Sequence, residues 1–153
     1  MKRIKSVALI LAFATIICSF SGCSKKKANK IENIVQNASA VLINGIENDT
    51  VEAYMGAFQG KQGDYIEFRF EEKQTFNTVF ITEKTATIRQ FNIYAEVDGK
   101  YKLIHTGKVI LNENISFEAV TATALKLEIV NTQIGNDSFT IQDVSAYNII
   151  EEN

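Results

Sequence analysis

The feature that most constrains the fold of this chain is a strict alternation of apolar and polar residues between Tyr65 and Glu71. Ile66, Phe68 and Phe70 share one face of an extended chain, and charged residues occupy the other face. An apolar period of two is typical of a β-strand with one buried and one wet side. The pattern recurs in short segments, and we predict further strands over 76–82, 91–97, 101–106, 115–120, 125–130 and 138–147.

The connections between these segments favour an antiparallel arrangement. Asp98-Gly99 lies between two of the predicted strands and is a two-residue hairpin signal. Seven or more short strands, with no convincing amphipathic helix and neither Trp nor Pro, predict an all-β antiparallel β-sandwich. The part of the chain that begins at Ile31 is long enough to build one core of its own.

The N-terminus predicts where the chain goes. Three basic residues within Met1–Lys5 precede the almost wholly apolar segment Ser6–Phe20, which is the order of a secretory signal. The apolar segment is shorter than the roughly 20 residues of a spanning helix and is followed by small residues. The sequence Phe20-Ser21-Gly22-Cys23 resembles the lipobox of bacterial lipoproteins, in which the Cys thiol receives a diacylglycerol and becomes the first residue.

We therefore expect a signal peptide over 1–22, a lipidated Cys23 with a Lys-rich tether over 23–33, and the β-sandwich domain over 34–150. The acylated Cys would hold the domain on a lipid bilayer, at the cell envelope and on the extracytoplasmic side. An uncleaved N-terminal anchor helix is the alternative interpretation, and it also leaves the domain tethered to a membrane.

Charge is divided sharply along the chain. All 18 acidic residues follow Lys30, together with nine basic residues, so that residues 31–153 have a net charge of −9. An acidic domain without a basic stripe is not expected to bind nucleic acid, whose phosphates need clustered Lys and Arg. The segment Lys25–Lys30 is either a solvated spacer or a stretch that lies along anionic lipid.

Six segments of the predicted strands carry a family resemblance. They are an aromatic-led strand at Gly63–Phe70, the next strand at Phe76–Ile81, an Arg-containing strand at Ile88–Tyr94, an Asp-Gly hairpin at Asp98–Gly107, and the segments Phe117–Leu127 and Ile141–Tyr147. In this order they resemble the discoidin family (coagulation factor 5/8 type C) of galactose-binding-like jelly rolls, which includes the family 32 carbohydrate-binding modules. The short link between Glu83 and Arg89 is most similar to the modules appended to α-L-fucosidases. The resemblance implies a discoidin-like jelly roll that binds a ligand without catalysis.

The residues themselves give no sign of a catalytic centre or of a catalytic cofactor. His105 is the only His, and neither Cys is expected to be a free thiol in the mature chain, so a triad and a zinc site both lack members. A glycosidase needs two carboxylates across a cleft. The carboxylates on the predicted strands are instead expected to lie on solvated faces: Glu67, Glu71, Glu118 and Glu128. We therefore expect that the chain is not an enzyme.

The resemblance also implies a structural calcium site. The segment from Asn44 to Thr50 is similar to the Asp-Gly loop that holds calcium in many members of the family, and Asp143 matches the carboxylate that completes it. The expected ligands are Asn44, Asp49, Thr50 and Asp143. Calcium takes six to eight oxygen ligands. The alternative is a turn capped by the Asn44 side chain, with no metal.

The resemblance further implies that a sugar binds at the loops of one end of the sandwich. Such sites combine an aromatic ring beneath the sugar with a few polar groups that fix its orientation. Tyr54 and Phe58 are the expected rings, and Lys84 and Asn136 the expected hydrogen-bonding groups. We expect the partner to be a glycan or polysaccharide. The alternative is an interaction module that docks a protein partner through the same loops.

Overall fold

The structure is a computed structural model that describes residues 31–48, 58–110 and 114–150. A short 3-10 turn, Ile34–Asn37, precedes eight antiparallel strands, and its two buried residues pack towards the last strand. The strands are β1 (Ala40–Ile43), β2 (Ile46–Asn48), β3 (Phe58–Lys61), β4 (Tyr65–Glu83), β5 (Ile88–Val97), β6 (Lys100–Gly107), β7 (Asn114–Thr132) and β8 (Ser138–Tyr147). The predicted all-β, antiparallel fold class is confirmed.

The two longest strands, β4 and β7, belong to both layers of the sandwich. In the first layer, residues Tyr65 to Arg69 of β4 pair with β7. The strand order of this layer is β2-β1-β4-β7-β5-β6. A register shift separates Arg69 from Gln74, and beyond it β4 pairs with the start of β7 and with β8, which in turn pairs with β3. We call these layers the first and the second sheet.

Both ends of β4 return to the same end of the molecule. Just before β4, Gly63 donates its amide to the carbonyl of Ile129, and just after β4, Lys84 donates its amide to the carbonyl of Thr140. Residues 129 and 140 flank the single loop between β7 and β8, so β4 has to fold back on itself at the register shift. This end of the sandwich is called the loop end below.

The long strands differ from the prediction, which divided each of them in two. The segments 65–71 and 76–82 are both parts of β4, and the segments 115–120 and 125–130 are both parts of β7. The residues between them include neither Gly nor Pro, so the chain passes through an irregularity without leaving the extended conformation. The last strand has the predicted bounds, 138–147.

The core lies between the two sheets and follows the alternation seen in the sequence. Ile66 and Phe68 point inwards from the first sheet, and Phe76, Val79 and Ile81 from the second. The largest side chains with almost no exposed surface are Phe68, Phe76, Phe91, Ile66, Ile81, Ile88, Ile93, Leu125, Leu127, Ile129, Ile141 and Val41. Burying apolar area contributes about 25 cal/mol per Å². Because the described part of the chain shows no disulfide, this packing carries the stability of the domain.

Two tight turns join neighbouring strands. Asp98 and Gly99 have φ angles of 52° and 74°, which confirms the predicted two-residue hairpin between β5 and β6. Asn44 and Gly45 have φ angles of 51° and 80° and form an equivalent turn between β1 and β2. This second hairpin was not predicted from the sequence.

Across the three described ranges, none of the helical segments is long and apolar enough to cross a membrane.

Candidate functional site

Three connections meet at the loop end and are held together through the backbone. They are the turn between β3 and β4, the link between β4 and β5, and the loop between β7 and β8. The bonds are Gln62 N to Asp137 O (3.0 Å), Lys84 N to Thr140 O (2.8 Å) and Gln133 N to Thr87 O (2.7 Å). Because these loops are already fixed, ligand binding does not carry the entropic cost of ordering them.

A surface cavity of about 410 Å³ opens between these connections. It is lined by Gln59, Gly60, Lys61, Thr85, Asn136, Ser138, Phe139 and Thr140. Gln59 and Lys61 on β3 lie opposite Thr140 and Ser138 on β8, so the outward-facing side chains of both strands reach the same wall. The lining offers amide, hydroxyl and ammonium groups, which is the chemistry that hydrogen-bonds a polyhydroxylated ligand.

Asn136 is the residue best placed to contact a ligand in this cavity. Its Oδ1 accepts hydrogen bonds from the amide and from the hydroxyl of Ser138, at 3.3 and 2.9 Å. Among the described residues, its Nδ2 has no hydrogen-bond acceptor. Asn136 also lines a second cavity of about 350 Å³, together with the fully exposed Ile134. A fixed side chain with a free donor at the meeting point of two cavities suits a binding role.

The link between β4 and β5 is held rigid beside the cavity. The Glu83 carboxylate accepts hydrogen bonds through Oε1 from the amide and hydroxyl of Thr87 and from the amide of Ile88. Arg89 donates to the side chain of Gln133 at 3.1 Å and so connects this link to the loop between β7 and β8. Lys84, which is exposed, follows Glu83 directly.

Two of the four predicted sugar-binding residues therefore lie at the same end of the molecule. Asn136 lines the main cavity, and Lys84 lies next to Thr85 and Thr140 of its lining. Tyr54 is outside the described residues.

The prediction for Phe58 was wrong. Phe58 is only 3% exposed and packs edge-to-face on Phe139, with the ring centroids 5.2 Å apart. Its ring belongs to the core and offers no face to a sugar. The reason is the alternation of β3: Phe58 and Gly60 point inwards, and the absence of a side chain at Gly60 hides the period of two in the sequence.

Most of the cavity wall was not predicted from the sequence. Gln59, Lys61, Thr85, Ser138 and Thr140 were not singled out. For β8 a signal was present, because Ser138 and Thr140 alternate with the buried Phe139 and Ile141. No local signal relates β3 to β8, since their pairing joins segments about 80 residues apart in the chain.

The proposed calcium ligands are only partly described. Asn44 accepts a hydrogen bond from the amide of Tyr65 through Oδ1 (2.9 Å) and donates through Nδ2 to Asp64 (2.8 Å), so it closes the turn to the start of β4. Asp143 accepts a hydrogen bond from the hydroxyl of Ser145 at 2.6 Å. Asp49 and Thr50 lie outside the described residues, as does Cys23. Within the described ranges, no three His, Cys, Asp or Glu side chains are grouped as metal ligands would be.

The remaining ionisable groups also differ in part from the prediction. Glu71 and Glu118 are exposed, as expected, but Glu67 is buried. It contacts Arg69 and Tyr101, which offset the cost of burying a carboxylate. His105 is half-buried, and burial lowers its pKa below the ordinary value.

Comparison with solved structures shows the same fold in carbohydrate-binding modules and in fucosidases. A chitosan-binding module of a chitosanase/glucanase from Paenibacillus sp. IK-5 superposes with a TM-score of 0.59 at 17% identity, over 77% of this chain and 99% of the module. The family 32 module of AlyQ, in complex with 4,5-unsaturated mannuronic acid, gives a TM-score of 0.58 at 17% identity, over 73% and 96%. A fucosidase from Ruminococcus gnavus gives 0.62 at 17%, over 78% of this chain.

The chain spans about a quarter of the length of the fucosidases that it matches, 27% in the Ruminococcus gnavus enzyme. It therefore shares a β-sandwich module with these enzymes and not their full length. No protein-family model and no curated protein sequence matches this chain.

Proposed function

We propose that this chain is a non-catalytic carbohydrate-binding module that takes a glycan at its loop end. The observation that carries the proposal is the polar cavity of about 410 Å³ around Asn136, on a sandwich that carbohydrate-binding modules share. The volume lies within the range of roughly 300–1,000 Å³ that small-molecule sites occupy.

The charge of the loop end refines the choice of glycan. Three of the nine basic residues of an otherwise acidic domain, Lys61, Lys84 and Arg89, lie at this end. Of the carboxylates there, Asp64 and Glu83 accept hydrogen bonds within the fold, and Asp137 lines the second cavity. Arg89 is engaged by Gln133 and by backbone carbonyls, whereas Lys61 lines the cavity and Lys84 lies beside it. An ammonium group there attracts the carboxylate of an acidic sugar. We therefore expect uronic-acid polymers to bind better than neutral ones.

The membrane attachment is part of the same proposal. A lipidated Cys23 holds the module on the extracytoplasmic side of a membrane, with residues 24–33 as a spacer. A monosaccharide with about 12 heavy atoms, at roughly 0.3 kcal/mol per atom, gains near 4 kcal/mol, which is a Kd around millimolar. Display of many copies on one surface raises the effective affinity for a repeating glycan.

The test is affinity electrophoresis of the full chain, in a non-ionic detergent, through gels that contain polygalacturonate, alginate or a neutral galactan. We expect retardation in the acidic gels. Asn136→Asp keeps the acceptor for Ser138, removes the free donor and adds a negative charge, so it should lose most of the retardation. Lys84→Gln removes one positive charge and none of the side-chain hydrogen bonds that hold the link between β4 and β5. It should weaken binding to the acidic polymers alone.

Control variants separate binding from folding. Lys102→Gln removes a positive charge from β6, away from the loop end, and should leave retardation unchanged. The carbohydrate proposal would be overturned if no polysaccharide retarded the wild-type chain relative to a gel without polysaccharide. Tight binding to a protein, not reduced by free sugars, would also overturn it. The second result would instead favour the protein-docking alternative, for which the fully exposed Ile134 offers an apolar contact.

A further inference from the structure

The outer face of the first sheet carries an ordered set of side chains that the loop-end site does not use. The strand pairings place them in three cross-strand rows on β1, β4, β7, β5 and β6. The rows are Leu42, Glu67, Lys126, Tyr94 and Leu103; Ala40, Arg69, Ala124, Glu96 and Tyr101; and Tyr65, Glu128, Asn92 and Thr106. We call this set the tyrosine face.

Lys126 lies at the centre of the tyrosine face. Its Nζ is 4.3 Å from the ring centroid of Tyr101, 4.6 Å from that of Tyr94 and 5.2 Å from that of Tyr65. An ammonium within about 6 Å of an aromatic centroid is attracted by the ring. Three rings from three different strands are thus held in place by one cation.

The polar groups of the face are equally fixed. The Glu67 side chain is only 5% exposed, binds Nε of Arg69 and accepts a hydrogen bond from the Tyr101 hydroxyl. A buried ion pair contributes little net stability, because desolvation of the charges offsets their attraction. Its effect is to hold Arg69 and Tyr101 in one geometry, as the supporting groups of a binding site do.

A second part of the network lies on β5 and β7. The Tyr94 hydroxyl donates to Glu128 at 2.8 Å, and Asn92 donates to the Tyr94 hydroxyl at 3.1 Å. Thr106 donates to Asn92 at 2.9 Å. The side chains in these contacts therefore lose little freedom when a ligand arrives, which lowers the entropic cost of binding.

Two side chains of the middle row, Arg69 and Tyr101, are partly exposed to solvent, and Ala124 between them is buried. Both cross-strand neighbours of Arg69 are alanines, Ala40 and Ala124, and the Arg69 side chain is 51% exposed. Glu96 lies two strands away in the same row, about 10 Å along the sheet. At the edge of the face, Tyr101 is 36% and Leu103 55% exposed. A donor, Arg69, and an acceptor, Glu96, thus lie on either side of the buried Ala124, beside the exposed edge formed by Tyr101 and Leu103.

We propose that the tyrosine face is a second carbohydrate-binding surface, separate from the loop end. The C–H face of a neutral pyranose packs on Tyr101 and Leu103, and its hydroxyls bond to the Arg69 guanidinium and the Glu96 carboxylate. Charge complementarity favours a neutral sugar, because Glu67, Glu96 and Glu128 outnumber Arg69 and Lys126 and repel a carboxylate. This proposal rests on the proposed function in one respect only, namely that the ligand is a carbohydrate.

Solution NMR of the isotope-labelled full chain in detergent micelles tests this, with D-galactose, L-fucose and D-galacturonate as probes at concentrations up to about 50 mM. Galactose or fucose should shift the amide signals of Tyr94, Tyr101 and Lys126, while galacturonate should shift those of Lys61 and Asn136. Tyr101→Ala should weaken the first response by about tenfold or more and leave the second unchanged.

The outcomes separate the two proposals. Shifts at the loop end alone, with all three sugars, overturn the tyrosine face and leave the proposed function standing. Shifts at the tyrosine face alone overturn the loop-end site. If Tyr101→Ala does not fold, Leu103→Lys places a charge on the exposed edge and should block the face. Unchanged neutral-sugar binding by that variant would also contradict the proposal.

Discussion

At the scale of single residues, His105 has a measurable consequence for stability. It lies on β6 opposite Ile93, with its ring 6.0 Å from the ring of Phe91. Burial lowers the pKa of His105 below its ordinary value, because the charged imidazolium is poorly solvated there. The unfolded chain therefore binds a proton at a higher pH than the folded chain does.

We predict that the free energy of unfolding falls as the pH decreases from about 6.5 through the lower pKa of folded His105. Near pH 8, well above 6.5, both states hold a neutral imidazole, and the contribution of this residue is constant. Urea unfolding between pH 5 and 8 measures the slope. His105→Gln has no titrating group and should remove that part of the slope, whereas an identical slope in both proteins would contradict the prediction.

Residues on the outer face of the first sheet show the limit of reasoning from the sequence at this scale. Alternation correctly assigns Glu67 to the side opposite Phe68, but it does not reveal that Arg69 and Tyr101 cover it. Tyr101 lies about 30 residues further along the chain, on an edge strand. Burial raises the pKa of Tyr101 well above its ordinary value, and the hydrogen bond to Glu67 adds to the increase.

At the scale of elements, the hairpin of β1 and β2 is compatible with both interpretations of the segment that begins at Asn44. The structure gives the Asn44 side chain a role in the turn, through Tyr65 and Asp64. A carbonyl oxygen has two lone pairs, so Asn44 Oδ1 can accept the hydrogen bond from Tyr65 and also bind calcium.

We predict that calcium binds this segment and that a chelator lowers the melting temperature of the full chain by roughly 10 °C. A metal that binds the folded state alone contributes about 2.7 kcal/mol at a hundredfold excess over Kd. Asp143→Asn should abolish the difference between chelator and millimolar calcium, because it removes one charged ligand and retains the contact with Ser145. Asn44→Ala, by contrast, should lower the melting temperature in both conditions. Identical melting curves of the wild-type chain in the two conditions would leave a turn without metal.

Elements that depend on local pattern were predictable, and those that depend on long-range pairing were not. The alternation of 138–147 and the Asp98-Gly99 turn are local signals, and both are confirmed. The fold-back of β4 depends on its pairing with β7 and β8, which no short segment encodes. The same cause hides the loop-end cavity, since β3 and β8 build its wall together.

At the scale of the whole molecule, the two proposed sugar sites lie on different surfaces of one domain. The loop-end cavity opens between the strand connections, and the tyrosine face lies along the outer side of the first sheet. A chain with both sites can engage two segments of one polysaccharide. Binding by a single domain in solution stays weak, because each site is shallow and takes few sugar atoms.

Attachment to a membrane should therefore change the binding more than any single contact does. We predict that the wild-type full chain, reconstituted into phospholipid vesicles, retains polygalacturonate with an apparent affinity roughly 10² to 10⁴ times that of Cys23→Ser, which remains in solution as single copies. Sedimentation of the vesicles with labelled polymer measures this ratio. Asn136→Asp on vesicles serves as the matched control, since it keeps the anchor and loses the site, and it should retain little of the polymer. If the Cys23→Ser variant partitions into the detergent phase to the same extent as the wild-type chain, the lipid anchor is refuted. Equal affinities in the soluble and vesicle-bound states would show that the affinity does not come from multivalent display.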